Sequence, residues 1–170
     1  MRASLNLSAR EFPGSDLADR VLSIIQEANL EPSLFNIEIT ESQLMHHPEE
    51  SAEILSALQE SGVRVVIDDF GTGYSSLAYL THFNVNGIKL DRFFIQEIPG
   101  NKKRENLLAM MIALGEKLDI PVVAEGVETE AQVAFLRKHG CSRFQGYLVA
   151  PALPSEEFIA RLAKNQNQSH

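Results

Sequence analysis

The sequence has 170 residues and one cysteine, Cys141, so it can form neither an internal disulfide nor a multi-cysteine zinc site. That scarcity predicts a reducing, cytoplasmic setting. No uninterrupted apolar stretch approaches the roughly 20 residues of a membrane span, and Met1-Arg2-Ala3-Ser4-Leu5-Asn6 lacks the pattern of a secretory signal. Basic residues are also few. Fifteen Lys and Arg against 23 Asp and Glu leave a net charge of −8, which argues against a DNA or RNA polymer as partner. The histidines are scattered, so nothing supports a nucleophile–histidine triad. No low-complexity tract, close repeat or internal linker divides the chain. What is present is globular: 44% hydrophobic and 22% charged residues, enough for one domain with a sizeable core. That domain is predicted over 1–163, followed by a polar tail, Lys164–His170.

Short β-rich runs alternate with longer helical patterns. The expected strands are Ser4–Leu7, Leu34–Thr40, Val63–Ile67, Gly87–Leu90, Val122–Ala124 and Phe144–Leu148. Between them, Leu17, Val21, Ile24, Ile25 and Ala28 share a helical face behind an N-cap at Ser15. Pro48–Ser61 ends at Gly62, and Lys103–Leu118 carries Leu107, Leu108, Met111 and Ile112. Thr129 and Gln132 form a capping box for a helix through Lys138, with Gly140 at its C-terminal end. Ser155 is expected to cap a last helix with Glu156 and Glu157 in its first turn. Such alternation means a parallel sheet with helical crossovers, either an open doubly wound sheet or a (β/α) barrel.

Both closures place chemistry at the C-terminal ends of strands. Here those ends carry Asn6, then Glu38 with Glu41, Asp68-Asp69, Lys89 with Asp91, Glu125 with Glu128, and Gln145. Alternation along a strand puts Asn36, Glu38 and Thr40 on one face and Ile37 and Ile39 on the other. A lone carboxylate at a strand end is ordinarily a helix cap or a solvated turn. Repetition at six consecutive strands is what sets this pattern apart. Converging carboxylates repel one another unless cations separate them, and hard oxygen donors select Mg²⁺, Mn²⁺ or Ca²⁺. Two such ions about 3.5–4 Å apart are the usual device for in-line phosphodiester hydrolysis. In that setting Lys89 would neutralise transition-state charge or orient the water, and Glu125 would bind metal or accept a proton.

The loop Asp69-Phe70-Gly71-Thr72-Gly73-Tyr74-Ser75-Ser76 invites two false matches. It holds a kinase-like Asp-Phe-Gly without a His-Arg-Asp loop, and it lacks the Gly-Lys-Ser of a phosphate loop. Its glycines predict a flexible loop over the metal site, with Ser75 capping the next helix.

Together these segments resemble the EAL family. The resemblance is carried by Asn6-Leu7-Ser8-Ala9-Arg10 with Phe12, Glu38-Ile39-Thr40-Glu41-Ser42, and Asp68-Asp69-Phe70-Gly71-Thr72-Gly73-Tyr74-Ser75-Ser76-Leu77. It continues in order through Ile88-Lys89-Leu90-Asp91, Ala124-Glu125-Gly126-Val127-Glu128-Thr129 and Gln145-Gly146-Tyr147, and covers Leu5 to Leu162. It implies a bacterial phosphodiesterase of TIM-type (β/α) barrel fold that opens cyclic di-GMP to a linear dinucleotide with two Mg²⁺ or Mn²⁺ ions. By the same resemblance Asn6, Glu38, Asp68, Asp69 and Glu125 are metal ligands, Asp68 bridging the two ions. Lys89, Glu125 and Glu41 form the catalytic group, Lys89 orienting the water and Glu41 anchoring the loop after Asp69. Gln145, Tyr147 and Pro151 match positions lining the substrate cleft.

One departure shapes the expectation. The Glu-Ala-Leu tripeptide that names the family, whose glutamate is a metal ligand, is absent from the sequence. A barrel of this type takes about 250 residues, and six of its eight strand–helix units are readable. An incomplete barrel with two unpaired edges is therefore expected, with a second copy or a partner segment to close it. The alternative is a catalytically silent cyclic di-GMP-binding or protein-interaction module.

Overall fold

A computed structural model of the chain describes residues 2–8, 16–73 and 80–166. Its strands are β1 (Ala3–Asn6), β2 (Phe35–Thr40), β3 (Arg64–Phe70), β4 (Gly87–Leu90), β5 (Val122–Ala124) and β6 (Arg143–Phe144). The helices are α1 (Leu17–Glu27), α2 (Glu41–His46), α3 (Pro48–Glu60), α4 (Arg92–Ile95), α5 (Lys102–Lys117), α6 (Glu130–Lys138) and α7 (Ser155–Gln166). The strands form one sheet in the order β1-β2-β3-β4-β5-β6, and each neighbouring pair is parallel. A doubly wound sheet reverses its strand order at a switch point; this one runs straight through the chain. Right-handed crossovers then all return on the same side. The sheet is a curled arc of a (β/α) barrel, which decides between the two closures the sequence left open.

Register and alternation divide the sheet into two faces. Asn36 pairs with Arg64 and Thr40 with Asp68, while Lys89 pairs with Val123. The intervening residues, Ile37, Ile39, Val65, Ile67, Ile88, Leu90 and Ala124, all lie in the core under the helices. Leu44, Leu55, Leu58, Leu108 and Leu136 meet them from the helical layer. Each such side chain contributes about 1.5–3 kcal/mol on burial. The other face is the concave one, and it carries Asn6 of β1, Glu38 and Thr40 of β2, Asp68 of β3 and Lys89 of β4.

Local signals account for most boundaries. Gly62 and Gly140 end α3 and α6 in the left-handed region, at φ +89° and +91°. Thr129 and Gln132 form the expected capping box, and Thr40 and Gln43 form a second one that opens α2. Asp16 occupies the N-cap position of α1, while Asn101 caps α5 by accepting from the Arg104 N–H. Ser155 is the first residue of α7 rather than its cap, and α7 continues to Gln166, three residues into the predicted tail. β6 stops at Phe144 where five residues were expected, because the chain turns at Gly146. The expected caps Ser15 and Ser75 lie outside the described residues, as do Ala9, Arg10, Phe12, Tyr74, Ser76 and Leu77. No described helix is long and apolar enough to cross a membrane.

Candidate active site

The site lies on the concave face at the C-terminal ends of the strands. Its centre is Lys89, which β4 delivers to the inner side with only 8% exposure. The Lys89 Nζ lies 2.6 Å from Glu38 Oε2 on β2, 2.6 Å from Glu125 Oε1 just past β5, and 3.1 Å from Asp68 Oδ1 on β3. One ammonium thus ties four adjacent strand ends together.

Asp68 and Asp69 are consecutive, so a regular strand would send them to opposite faces. The β3–β4 register instead shifts between Ile67 and Phe70, and Asp69 adopts φ +53°. Aspartate tolerates that left-handed conformation better than most residues. The bulge turns both carboxylates toward the cleft, where Asp68, Asp69 and Glu125 each place a ligand atom within 4.8 Å of the others. The Asp69 N–H donates to Asp68 Oδ1 (3.1 Å).

The electrostatics are those of an overloaded acidic cleft. Burial penalises the Lys89 ammonium, yet hydrogen bonds to Glu125 and Glu38, with the charges of Glu125 and Asp68, outweigh it and hold the pKa above the ordinary lysine value. Burial raises the Glu125 pKa, and the charges of Asp68 and Glu38 add to it against the opposing pull of Lys89. Asp69 is also raised, by burial, by the charges of Asp68 and Asp91, and by a hydrogen bond with Asp91. Glu38, Asp68, Asp69 and Glu125 around one lysine leave three negative charges unbalanced. Like charges at this spacing favour a bound divalent cation. The donors are hard carboxylate oxygens, which suit Mg²⁺, Mn²⁺ or Ca²⁺. Lys89 already bonds to three of the carboxylates as a cation would, so these residues fit the ions the sequence implied.

The other predicted residues sit around this centre. Asn6, at the end of β1, pairs in register with Glu38 and is exposed. Glu41, grouped with the catalytic residues, is 2% exposed and lies outside the Lys89 cluster; its Oε2 accepts from the Gly71 N–H at 2.7 Å. That bond ties α2 to the backbone two residues after Asp69. Gln145 Nε2 donates to Glu125 Oε1 (2.7 Å). Gly146 makes that approach possible, since a Cβ there would collide with the Val127 backbone. Tyr147 stands in solvent at 74% exposure, and Pro151 and Glu128 are also exposed. The Asp69–Asp91 pair is the contact sequence reasoning missed. Asp91 caps α4 by accepting from the Phe93 N–H (2.8 Å). The second capping box was equally legible, since Thr40 and Gln43 have the spacing of Thr129 and Gln132.

The fold is thus an arc of a (β/α) barrel that gathers a carboxylate–lysine cluster at the C-terminal ends of its strands. Residues 1–152 match the EAL domain model, and the chain belongs to that family. It is 42% identical over 160 residues to the bifunctional diguanylate cyclase/cyclic di-GMP phosphodiesterase MucR of Pseudomonas aeruginosa, covering 94% of this chain and 23% of that protein. A solved structure of the MucR phosphodiesterase in complex with cyclic di-GMP matches at TM-score 0.88 and 41% identity, over 92% of this chain and 64% of that one. BlrP1 of Klebsiella pneumoniae, solved with manganese and cyclic di-GMP, matches at TM-score 0.78 and 32% identity, over 86% of this chain and 38% of that one. The chain spans between 21% and 23% of the length of the first curated relatives it matches.

Proposed function

We propose that this chain is the phosphodiesterase region of a cytoplasmic protein that hydrolyses cyclic di-GMP to a linear dinucleotide. The observation that carries the reading is the Lys89 ammonium held at 2.6, 2.6 and 3.1 Å from Glu38, Glu125 and Asp68, with Asp69 alongside. The cyclic di-GMP named for MucR and BlrP1 supports the substrate class.

Asp68, Asp69, Glu125, Glu38 and Asn6 would hold two Mg²⁺ or Mn²⁺ ions. When bound, such ions polarise the phosphate and acidify a water molecule. The chain's own residues do the rest. A lysine is protonated near neutral pH, and the carboxylates around Lys89 favour its charged form. It therefore donates hydrogen bonds to the attacking water and offsets charge on the phosphoryl oxygens; it does not act as a base. Glu125, 2.6 Å from Lys89 and beside Asp68 and Asp69, is the carboxylate placed to take the water's proton. Gln145 steadies Glu125 from the side of β6, and Tyr147 and Pro151 are the residues we assign to the substrate cleft on the strength of the family resemblance. One water adds to phosphorus, one P–O ester bond breaks, and the ring opens, with the proton taken by Glu125 balanced by one taken up by the leaving ribose oxygen.

Turnover of cyclic di-GMP by the folded chain with Mn²⁺, compared with Asp68→Asn, tests the reading. Linear dinucleotide from the parent alone supports it. Equal activity in both, or none from a folded, Mn²⁺-loaded parent, refutes it for this chain.

A further inference from the structure

Two glutamines hold the same position in two strand–helix units. Gln43 is the third residue of α2 and Gln132 the third of α6. Gln43 Oε1 accepts from the Thr40 N–H at 2.8 Å and from the Thr40 hydroxyl at 2.7 Å. Gln132 Oε1 accepts from the N–H groups of Glu128 and Thr129 at 2.8 and 3.0 Å. A capping box needs only that oxygen, and glutamate supplies it as well as glutamine.

The amide nitrogens go elsewhere. Gln43 Nε2 donates to the Leu7 carbonyl (3.1 Å), and Gln132 Nε2 donates to the Ile95 carbonyl (3.0 Å). Each acceptor belongs to the preceding unit of the sheet. Leu7 follows Asn6, and Ile95 closes the short helix that Asp91 caps. Both glutamines are buried, at 7% and 5% exposure, so water does not compete for these bonds. The second bond, and not the cap, is what calls for an amide at these positions.

We infer that Gln43 and Gln132 are positioning residues that set the spacing of the cation site from its two flanks. Gln43 fixes the Asn6 rim against the Glu38–Glu41 rim, and Gln132 fixes the Lys89–Asp91 rim against the Glu125–Glu128 rim. Glu41 on Gly71 and Gln145 on Glu125 make the corresponding ties between β2 and β3 and between β5 and β6. The inference rests on the reading above that the rim holds a divalent cation.

Three variants separate this role from helix capping. Thr129→Ala removes the reciprocal half of the cap and leaves the Ile95 bond. Gln132→Glu keeps the acceptor and loses the donor, and Gln132→Met is neutral and loses both. Amide hydrogen exchange reads the tie without any metal. Both Gln132 variants should speed exchange across 91–96 roughly tenfold, as loss of one buried hydrogen bond implies, while Thr129→Ala should leave that segment unchanged. Mn²⁺ titration reads the consequence: Gln132→Met should weaken binding roughly tenfold, the usual effect of removing support behind a ligand, and Thr129→Ala should not. Unchanged exchange at 91–96 in the Gln132 variants, or an equal change in Thr129→Ala, overturns the inference. Faster exchange with undiminished Mn²⁺ affinity overturns the positioning role. A parent that binds no Mn²⁺ removes the cation reading, and exchange still decides whether the tie exists.

Discussion

The two ends of the sheet carry opposite charge. At the C-terminal ends, Glu38, Asp68, Asp69, Asp91 and Glu125 gather around Lys89. At the N-terminal ends, Arg64 opens β3, Arg143 opens β6, and Arg2 precedes β1; with Asn36 and Asn86 they line a cavity of about 430 Å³. The acidic end is engineered by backbone devices: a bulge, two capping boxes and a glycine that admits a close approach. At the opposite end Arg64 donates to the Asn86 carbonyl and Asn86 ties to the Val65 N–H, contacts that close strand starts and converge on no common centre. The apolar face beneath the helices runs the length of both. Stability is therefore shared along the sheet, whereas the chemistry is confined to one rim, the division expected of a (β/α) barrel.

Four substitutions test this division, in decreasing order of effect. Asp68→Asn should reduce cyclic di-GMP turnover by at least a hundredfold, roughly the loss expected when a central electrostatic group of a site is removed, with the melting temperature almost unchanged. Leu58→Ala, in the fully buried layer against the sheet, should cost about 2–5 kcal/mol in urea unfolding and leave Mn²⁺ affinity intact in the folded fraction. Thr129→Ala should cost about 1 kcal/mol through loss of the cap. Arg143→Gln, exposed at the N-terminal end, should stay within about 0.5 kcal/mol of the parent and leave turnover unchanged; a large loss of turnover would break the division between the two ends.

The rim should also show in the pH dependence of the metal-free chain. Glu125 and Asp69 have raised pKa values in the fold. A raised carboxylate favours the folded state while both states are protonated, and that contribution is lost as pH climbs from the ordinary carboxylate range through the raised folded values. Stability measured by urea unfolding should fall over that acidic window. Glu125→Gln should flatten the slope, and a slope that is unchanged would remove Glu125 as its source.

How much of this was legible depended on the length of each signal. The strands Gly87–Leu90 and Val122–Ala124 coincide with the sequence expectation because apolar runs bounded by turn residues mark them plainly. β3 was expected to stop at Ile67, since two aspartates are poor strand formers. It continues to Phe70 through a bulge that depends on pairing with β4, which no local pattern reveals. Helices α2 and α4 have six and four residues, too few for helical periodicity to register. The converging polar faces were visible from alternation alone, whereas the choice between open sheet and barrel required the strand order. Lys89, Asp68 and Glu125 meet because the strand order follows the chain order, a fact that no local pattern in the sequence carries.

The most direct test of the account is a calorimetric Mn²⁺ titration of the folded chain beside Asp68→Asn. The account predicts saturable binding by the parent that weakens by at least tenfold in the variant. Equal binding in the two, or no binding by the parent, would contradict the assignment of this rim as a divalent-cation site.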